Sequence, residues 1–191
     1  MAAVGLVGGG LAVASAADTH WYTHVSLSRL GVDPGASAIM NATLLLLGTL
    51  LVALGLSLEP TLARLRSAGR LSSRTSDALR IGFIAAGVAV SVTGVFHNDG
   101  RLPYVIHNLA GFTTPLVLTA TILGGRFAVG GLGRRFDRGS IAIPSLCICL
   151  FLAAYLGHLL PYAVMEASCF GLIGAWLWAF EARLHSLAVP T

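Results

Sequence analysis

His97-Asn98-Asp99 and His107-Asn108 lie on either side of a short stretch holding Gly100 and Pro103. An imidazole beside a carboxylate fixes a histidine tautomer and supports proton transfer or metal binding. The same residues would also make a polar clasp between two helix ends, with Asn98 or Asp99 capping the helix that follows. Further along, His158, in Tyr155-Leu156-Gly157-His158, and Glu166, in Tyr162-Ala163-Val164-Met165-Glu166, flank a second turn at Pro161. If they converge on His107, the set holds an acid, a base and candidate metal ligands, enough for hydrolytic or proton-transfer chemistry on a lipid headgroup. If they face separate helix pairs, they are interhelical hydrogen-bonding groups. His20-Trp21-Tyr22-Thr23-His24 sets two histidines at i and i+4, within joint reach of a metal on a helix face, yet Trp21 and Tyr22 equally mark a bilayer interface.

The expected site therefore has His97, Asp99, His107, His158 and Glu166 as acid/base groups, and Asn98, Asn108, Tyr104, Tyr162 and Trp21 as substrate contacts. His97, His107 and His158 are the candidate ligands for a divalent metal. His107 and His158, at matched depth on different helices, also make the pair a b-type haem would need. Both lie near helix ends with no second pair deeper, which speaks against haem.

The elements that must position these groups are apolar. Of the 191 residues, 55% are hydrophobic and 10% charged, and the mean hydropathy is +0.81, too greasy for a water-soluble domain of this size. Six apolar segments, about 2–18, 37–58, 79–96, 105–124, 140–160 and 163–182, each approach the ~20 residues a helix needs to cross hydrocarbon. The expected fold is a single all-α membrane domain over 1–191, a bundle of six transmembrane helices. The first segment ends in Ala14-Ser15-Ala16, similar to a signal-peptidase site, but no basic residue precedes its apolar run, so it is read as a retained helix.

All twelve basic residues are arginines, and ten of them fall between the second and third segments, counting Arg80 at the start of the third, between the fourth and fifth, or after the sixth. Only Arg29 and Arg101 lie in the other loops, so the positive-inside rule puts both termini in the cytoplasm. Arginines scattered through short loops give no nucleic-acid-binding face. With this orientation Asp18, His20, His24, Asp33, His97, Asp99, His107, His158 and Glu166 share the extracytoplasmic side of a cell membrane. Only His185 among the histidines is cytoplasmic. Ionisable groups at such depth are costly unless paired or wetted, which makes them functional candidates.

Small residues at Gly8-Gly9-Gly10, Gly48 with Gly55, Gly87 with Gly94, and Gly171 with Gly174 predict close helix packing, within the chain or with a second copy or another protein. Pro115 and Pro144 are expected to kink their helices or free a carbonyl. Cys147, Cys149 and Cys169 lack paired redox spacing and read as small residues of the membrane core. Trp176, Trp178, Glu181 and Arg183 read as anchors at the cytoplasmic interface. The glycine-rich run 124–133 lacks the lysine and spacing of a phosphate-binding loop.

Ser28-Arg29-Leu30-Gly31, followed by small residues and an apolar helix led by Asn41, resembles the start of the bacterial membrane family catalogued as domain of unknown function 998. His107 and Glu181 match later landmarks of that family. This chain departs from its pattern at Phe96-His97, where the family tends to have Phe-Pro, and at Glu181-Ala182-Arg183, where it has an adjacent Glu-Arg pair. The family is similar in topology to the Frag, DRAM and Sfk group, so the resemblance implies lipid handling and assigns no catalytic residue.

The leading expectation is a membrane-embedded enzyme acting on a lipid or isoprenoid by acid/base or metal-assisted chemistry. The alternative is a non-enzymatic protein that binds lipid or a partner, and the third is a haem protein. A transporter or channel has less to stand on, with no deep charge pair, inverted repeat or filter-like segment.

Overall fold

Turn chemistry and apolar length set the elements. The computed structural model describes residues 20, 27–32, 34–96, 100–128 and 134–188. A 3-10 turn, Leu27–Gly31, precedes six helices: α1 (Ser37–Ser57), α2 (Glu59–Ser67), α3 (Ser73–Val95), α4 (Arg101–Ala128), α5 (Arg134–Tyr155) and α6 (Tyr162–Ala188). Every element among the described residues is helical, as the composition demands. Five helices are long and apolar enough to cross a membrane. The expected first segment, 2–18, lies outside the described residues.

Several boundaries differ from the hydropathy windows for a common reason. Hydropathy marks the stretch that lipid would accept, whereas a helix continues as long as its backbone bonds do. Thus α3 begins at Ser73, where the Ser72 hydroxyl caps the Thr75 amide at 3.2 Å, and α5 begins at Arg134 rather than near 140. The opposite correction applies at the far end of α5. Expected to run to 160, it stops at Tyr155, because the Leu156 and Gly157 amides both turn back to the Leu152 carbonyl and His158 adopts a left-handed backbone, φ +47°. A left-handed residue cannot continue a right-handed helix.

The extra helix α2 lies where a loop was expected. Pro60 sits in its first turn, a position that costs no backbone hydrogen bond. It buries Leu62 and Leu65 and packs on α3 and α6. Its Glu59 accepts from Arg66 at 2.8 Å and pairs with Arg80 of α3, so two of the loop arginines hold this end of the bundle together.

The tightest packing is the antiparallel α1–α3 seam. Asn41, Gly48 and Gly55 on α1 recur every seventh residue, as do Arg80, Gly87 and Gly94 on α3. A Cβ on Gly48 would stand 2.5 Å from the Gly87 carbonyl oxygen, and one on Gly94 would stand 3.1 Å from that of Asn41. Only glycine permits that approach. A strict seven-residue repeat keeps the seam facing its partner along the helix, the geometry of left-handed supercoils. The expected pairings of Gly48 with Gly55 and Gly87 with Gly94 are thus used, whereas Gly171 and Gly174 on α6 have no neighbouring atom within 4 Å of an added Cβ.

Next to this seam, α4 packs against α3, where a Cβ on Gly82 would collide with the Thr121 hydroxyl. On the other side of the bundle α5 pairs antiparallel with α6. Phe136, Trp176 and Phe180 stack there, and the Trp176 indole donates to the Ser140 hydroxyl at 2.8 Å. Trp176 is therefore a buried core residue and not an interface anchor, while Trp178 is half exposed. α4 and α5 run through Pro115 and Pro144 without interruption.

Candidate functional site

Histidine 107 lies two turns into α4, against the end of α3. The last carbonyls of a helix have no partner within it. Here the His107 Nδ1–H donates to the Phe96 carbonyl at 2.8 Å and also faces that of Thr93 at 3.1 Å. Carbonyls only accept, so Nδ1 carries a proton. The imidazole is buried, 6% exposed. His107 thus joins α4 to the end of α3 through backbone carbonyls, while Asn98 and Asp99, the other members of the expected clasp, lie outside the described residues.

Glutamate 166 sits at the start of α6 at the same end of the bundle. Its carboxylate Oε2 accepts the Leu27 amide at 2.6 Å, joining α6 to the first residue of the 3-10 turn. An N-terminal amide of a helical turn is a natural partner for a carboxylate. The turn is tied from its other side by the Asn41 amide, which donates to the Gly31 carbonyl at 3.0 Å. One turn before Glu166, Tyr162 packs edge-on against Tyr155 and Phe151, with ring centroids 6.1 and 6.4 Å apart. Its buried hydroxyl has no hydrogen-bond partner among the described residues.

The remaining expected residues are scattered at this end. His158 is exposed on the loop between α5 and α6, and Tyr104 is exposed on α4, with Asn108 half-buried one turn on. His20 occupies an exposed turn. Trp21, His24, His97, Asn98 and Asp99 lie outside the described residues. Among the described residues no three His, Cys, Asp or Glu side chains gather as a metal site. His107 serves the α3–α4 pair, Glu166 serves α6 and the 3-10 turn, and His158 faces outward.

Two features escaped the sequence reading. One is a shallow groove of ≈ 320 Å³ on the outside of the α1–α3 seam, lined by Thr49, Val52, Val88, Ser91, Val92, Val95 and Phe96. Its walls are valines, and its hydroxyls are few. It runs from mid-helix to Phe96, the residue whose carbonyl His107 holds and which His97-Asn98-Asp99 follow in the chain. Valines facing lipid and valines lining a groove look alike in sequence, so no signal marked it. The other is a contact between α5 and α6 in which the Cys169 thiol stands 3.9 Å from the Met165 thioether and 3.9 Å from the Cys147 carbonyl oxygen. The i, i+4 spacing of Met165 and Cys169 was a visible hint, but the pairing with Cys147 needs the helix register.

No family model, curated protein or solved structure matches the chain. The resemblance to the family of unknown function therefore rests on the short motifs quoted above.

Proposed function

We propose that the chain is a multi-pass membrane protein that binds a lipid or isoprenoid chain in the α1–α3 groove, with the polar headgroup at the extracytoplasmic face. The observation supporting this reading is the groove itself. It is open to the outside of the bundle, walled by Val52, Val88, Val92 and Val95, and ends at Phe96, next in sequence to His97-Asn98-Asp99. An apolar tail gains little from exchanging one hydrocarbon surface for another, so selectivity in this reading comes from shape and from the polar end. The arginine distribution supports the orientation, since the helix ends bearing ten of twelve arginines are the ones that should face the cytoplasm.

Binding is preferred to turnover because His107 and Glu166 are both engaged elsewhere and His158 lies apart from them on an exposed loop. The His107 Nδ1–H bonds helix carbonyls, and the Glu166 carboxylate holds a backbone amide. Val92→Trp fills the groove, whereas Leu116→Trp, at a 70% exposed position on α4, adds the same bulk elsewhere. With photoactivatable lipid and isoprenoid probes in vesicles, labelled peptides should map to α1 and α3 and be lost in Val92→Trp only. Equal labelling in both variants would overturn the groove assignment. Turnover of a probe that disappears in His107→Ala would replace binding with catalysis.

A further inference from the structure

Five of the twelve arginines fall between Glu59 and Arg80, against only two carboxylates, Glu59 and Asp77, so this corner of the bundle carries a net charge of +3. Both carboxylates are engaged. Glu59 accepts from Arg66 at 2.8 Å and pairs with Arg80, and Asp77 stands 3.9 Å from the second terminal nitrogen of Arg66. Arg70 and Arg74 are exposed and have no ion pair among the described residues.

The loop that carries them is held at both ends. After α2 the Ala68, Gly69 and Arg70 amides return to the Arg64, Arg66 and Leu65 carbonyls at 3.0, 3.0 and 2.9 Å, and Gly69 takes the left-handed backbone, φ +68°, that commonly ends a helix. Leu71 is buried, 7% exposed. The Ser72 hydroxyl then caps α3, accepting the Thr75 amide at 3.2 Å and sharing a 2.6 Å hydrogen bond with the Thr75 hydroxyl. Arg70 and Arg74 therefore leave the chain from fixed points on either side of the Leu71 anchor. Their depth is also set. α2 starts at Glu59, just past the apolar stretch of α1, and α3 starts at Ser73, whereas its own apolar stretch opens near Leu79. At 1.5 Å per residue, Arg74 stands about 7 Å beyond the hydrocarbon, at the level of lipid headgroups.

We propose that the arch between α2 and α3 is a docking site for the headgroup of an acidic phospholipid in the adjoining leaflet, with Arg70 and Arg74 holding its phosphate. A guanidinium presents paired N–H donors that match phosphate oxygens and stays charged at any physiological pH. Charge complementarity selects the lipid. Phosphatidylcholine offers the same phosphate but brings its own ammonium, which the +3 corner opposes, whereas an acidic headgroup such as phosphatidylglycerol brings no cation. Membrane orientation alone would be met by arginines anywhere in a slack loop. Here the ion-pair network engages both local carboxylates, leaves two arginines over, and a capped loop sets those two at headgroup depth. The site rests on the membrane-spanning reading of the chain and not on the groove, which ends at Phe96 at the other end of α3.

The test uses the full chain in detergent micelles, titrated with phosphatidylglycerol and phosphatidylcholine and read by native mass spectrometry as lipid retained on the protein. Wild type should retain phosphatidylglycerol in preference. Arg70→Gln and Arg74→Gln should each weaken that binding about fivefold, the scale of one basic residue at an anionic membrane surface, and the double variant should abolish the preference. Arg74→Lys, which keeps the charge, should restore most of it. Arg101→Gln, an exposed arginine at the opposite end of the bundle, should leave it unchanged. Raising the salt concentration should weaken the wild-type preference, because exposed charges are screened. Equal melting of the lipid-free variants separates loss of the site from loss of the fold, and the single variants carry the test should the double variant misfold. Equal retention of the two lipids by wild type, a preference that survives the double variant, or the same loss in Arg101→Gln would each overturn the proposal. Displacement of the lipid by millimolar inorganic phosphate would also overturn it, by making the ligand a free anion.

Discussion

At the residue scale, the polar groups that looked like chemistry act first as connections. His107 donates to the open end of α3, and Glu166 accepts from the first amide of the 3-10 turn. Removing either leaves backbone groups unpaired in a poorly hydrated place, which costs about 1–3 kcal/mol per buried group. His107→Ala should therefore lower stability by about that amount, read from the midpoint of unfolding in mixed micelles. A midpoint equal to wild type would show that the clasp contributes nothing. Glu166 offers a finer contrast. Glu166→Gln keeps a carbonyl oxygen facing Leu27 and should lie close to wild type, whereas Glu166→Leu leaves the amide without an acceptor and should lose about 1–3 kcal/mol. If the two variants unfold together, the bond is not what holds the turn. The sequence exposed these residues as costly and so worth attention, but it was silent on their partners, because main-chain carbonyls and amides have no residue-type signature.

At the element scale, what could be read was periodic and what could not was aperiodic. Gly48 and Gly55 on α1, like Gly87 and Gly94 on α3, are seven residues apart, and that repeat is the seam. The end of α5 depends on one left-handed residue, His158, which no repeat announces. Trp176 looked like its neighbour Trp178, yet one points into the α5–α6 pair and the other outward, a difference of two positions on a helix and hence of some 200° around it. The seam yields a graded prediction. Gly48→Ala would place its Cβ 2.2 Å from the Ser91 hydroxyl and 2.5 Å from the Gly87 carbonyl, so α1 and α3 must separate and stability should fall. Gly111→Ala on α4 meets nothing within 4 Å and should be neutral, or stabilising by up to ~1 kcal/mol through helix propensity. The reverse order of the two midpoints would remove the seam from any role in stability.

At the scale of the whole molecule, charge and packing divide the labour between the two ends of the bundle. The arginine-rich end is knit by side chains, with Glu59 between Arg66 and Arg80 and the extra helix α2 laid across α3 and α6. The opposite end is knit by main-chain bonds to His107 and Glu166, and it bears the exposed aromatics Tyr104 and Tyr155. If the positive-inside rule governs this chain, the knitted arginines are cytoplasmic and the aromatic end faces out. Two exposed positions report on this without disturbing either network: Leu159, 79% exposed on the loop after α5, and Ala68, exposed just after α2. In a background with Cys147, Cys149 and Cys169 replaced by alanine, Leu159→Cys should react with a membrane-impermeant maleimide added outside intact cells. Ala68→Cys should react only after the cells are opened. The opposite pattern would invert the bundle, place Glu166 and the end of the groove at Phe96 in the cytoplasm, and require any amphiphile bound there to come from the inner leaflet.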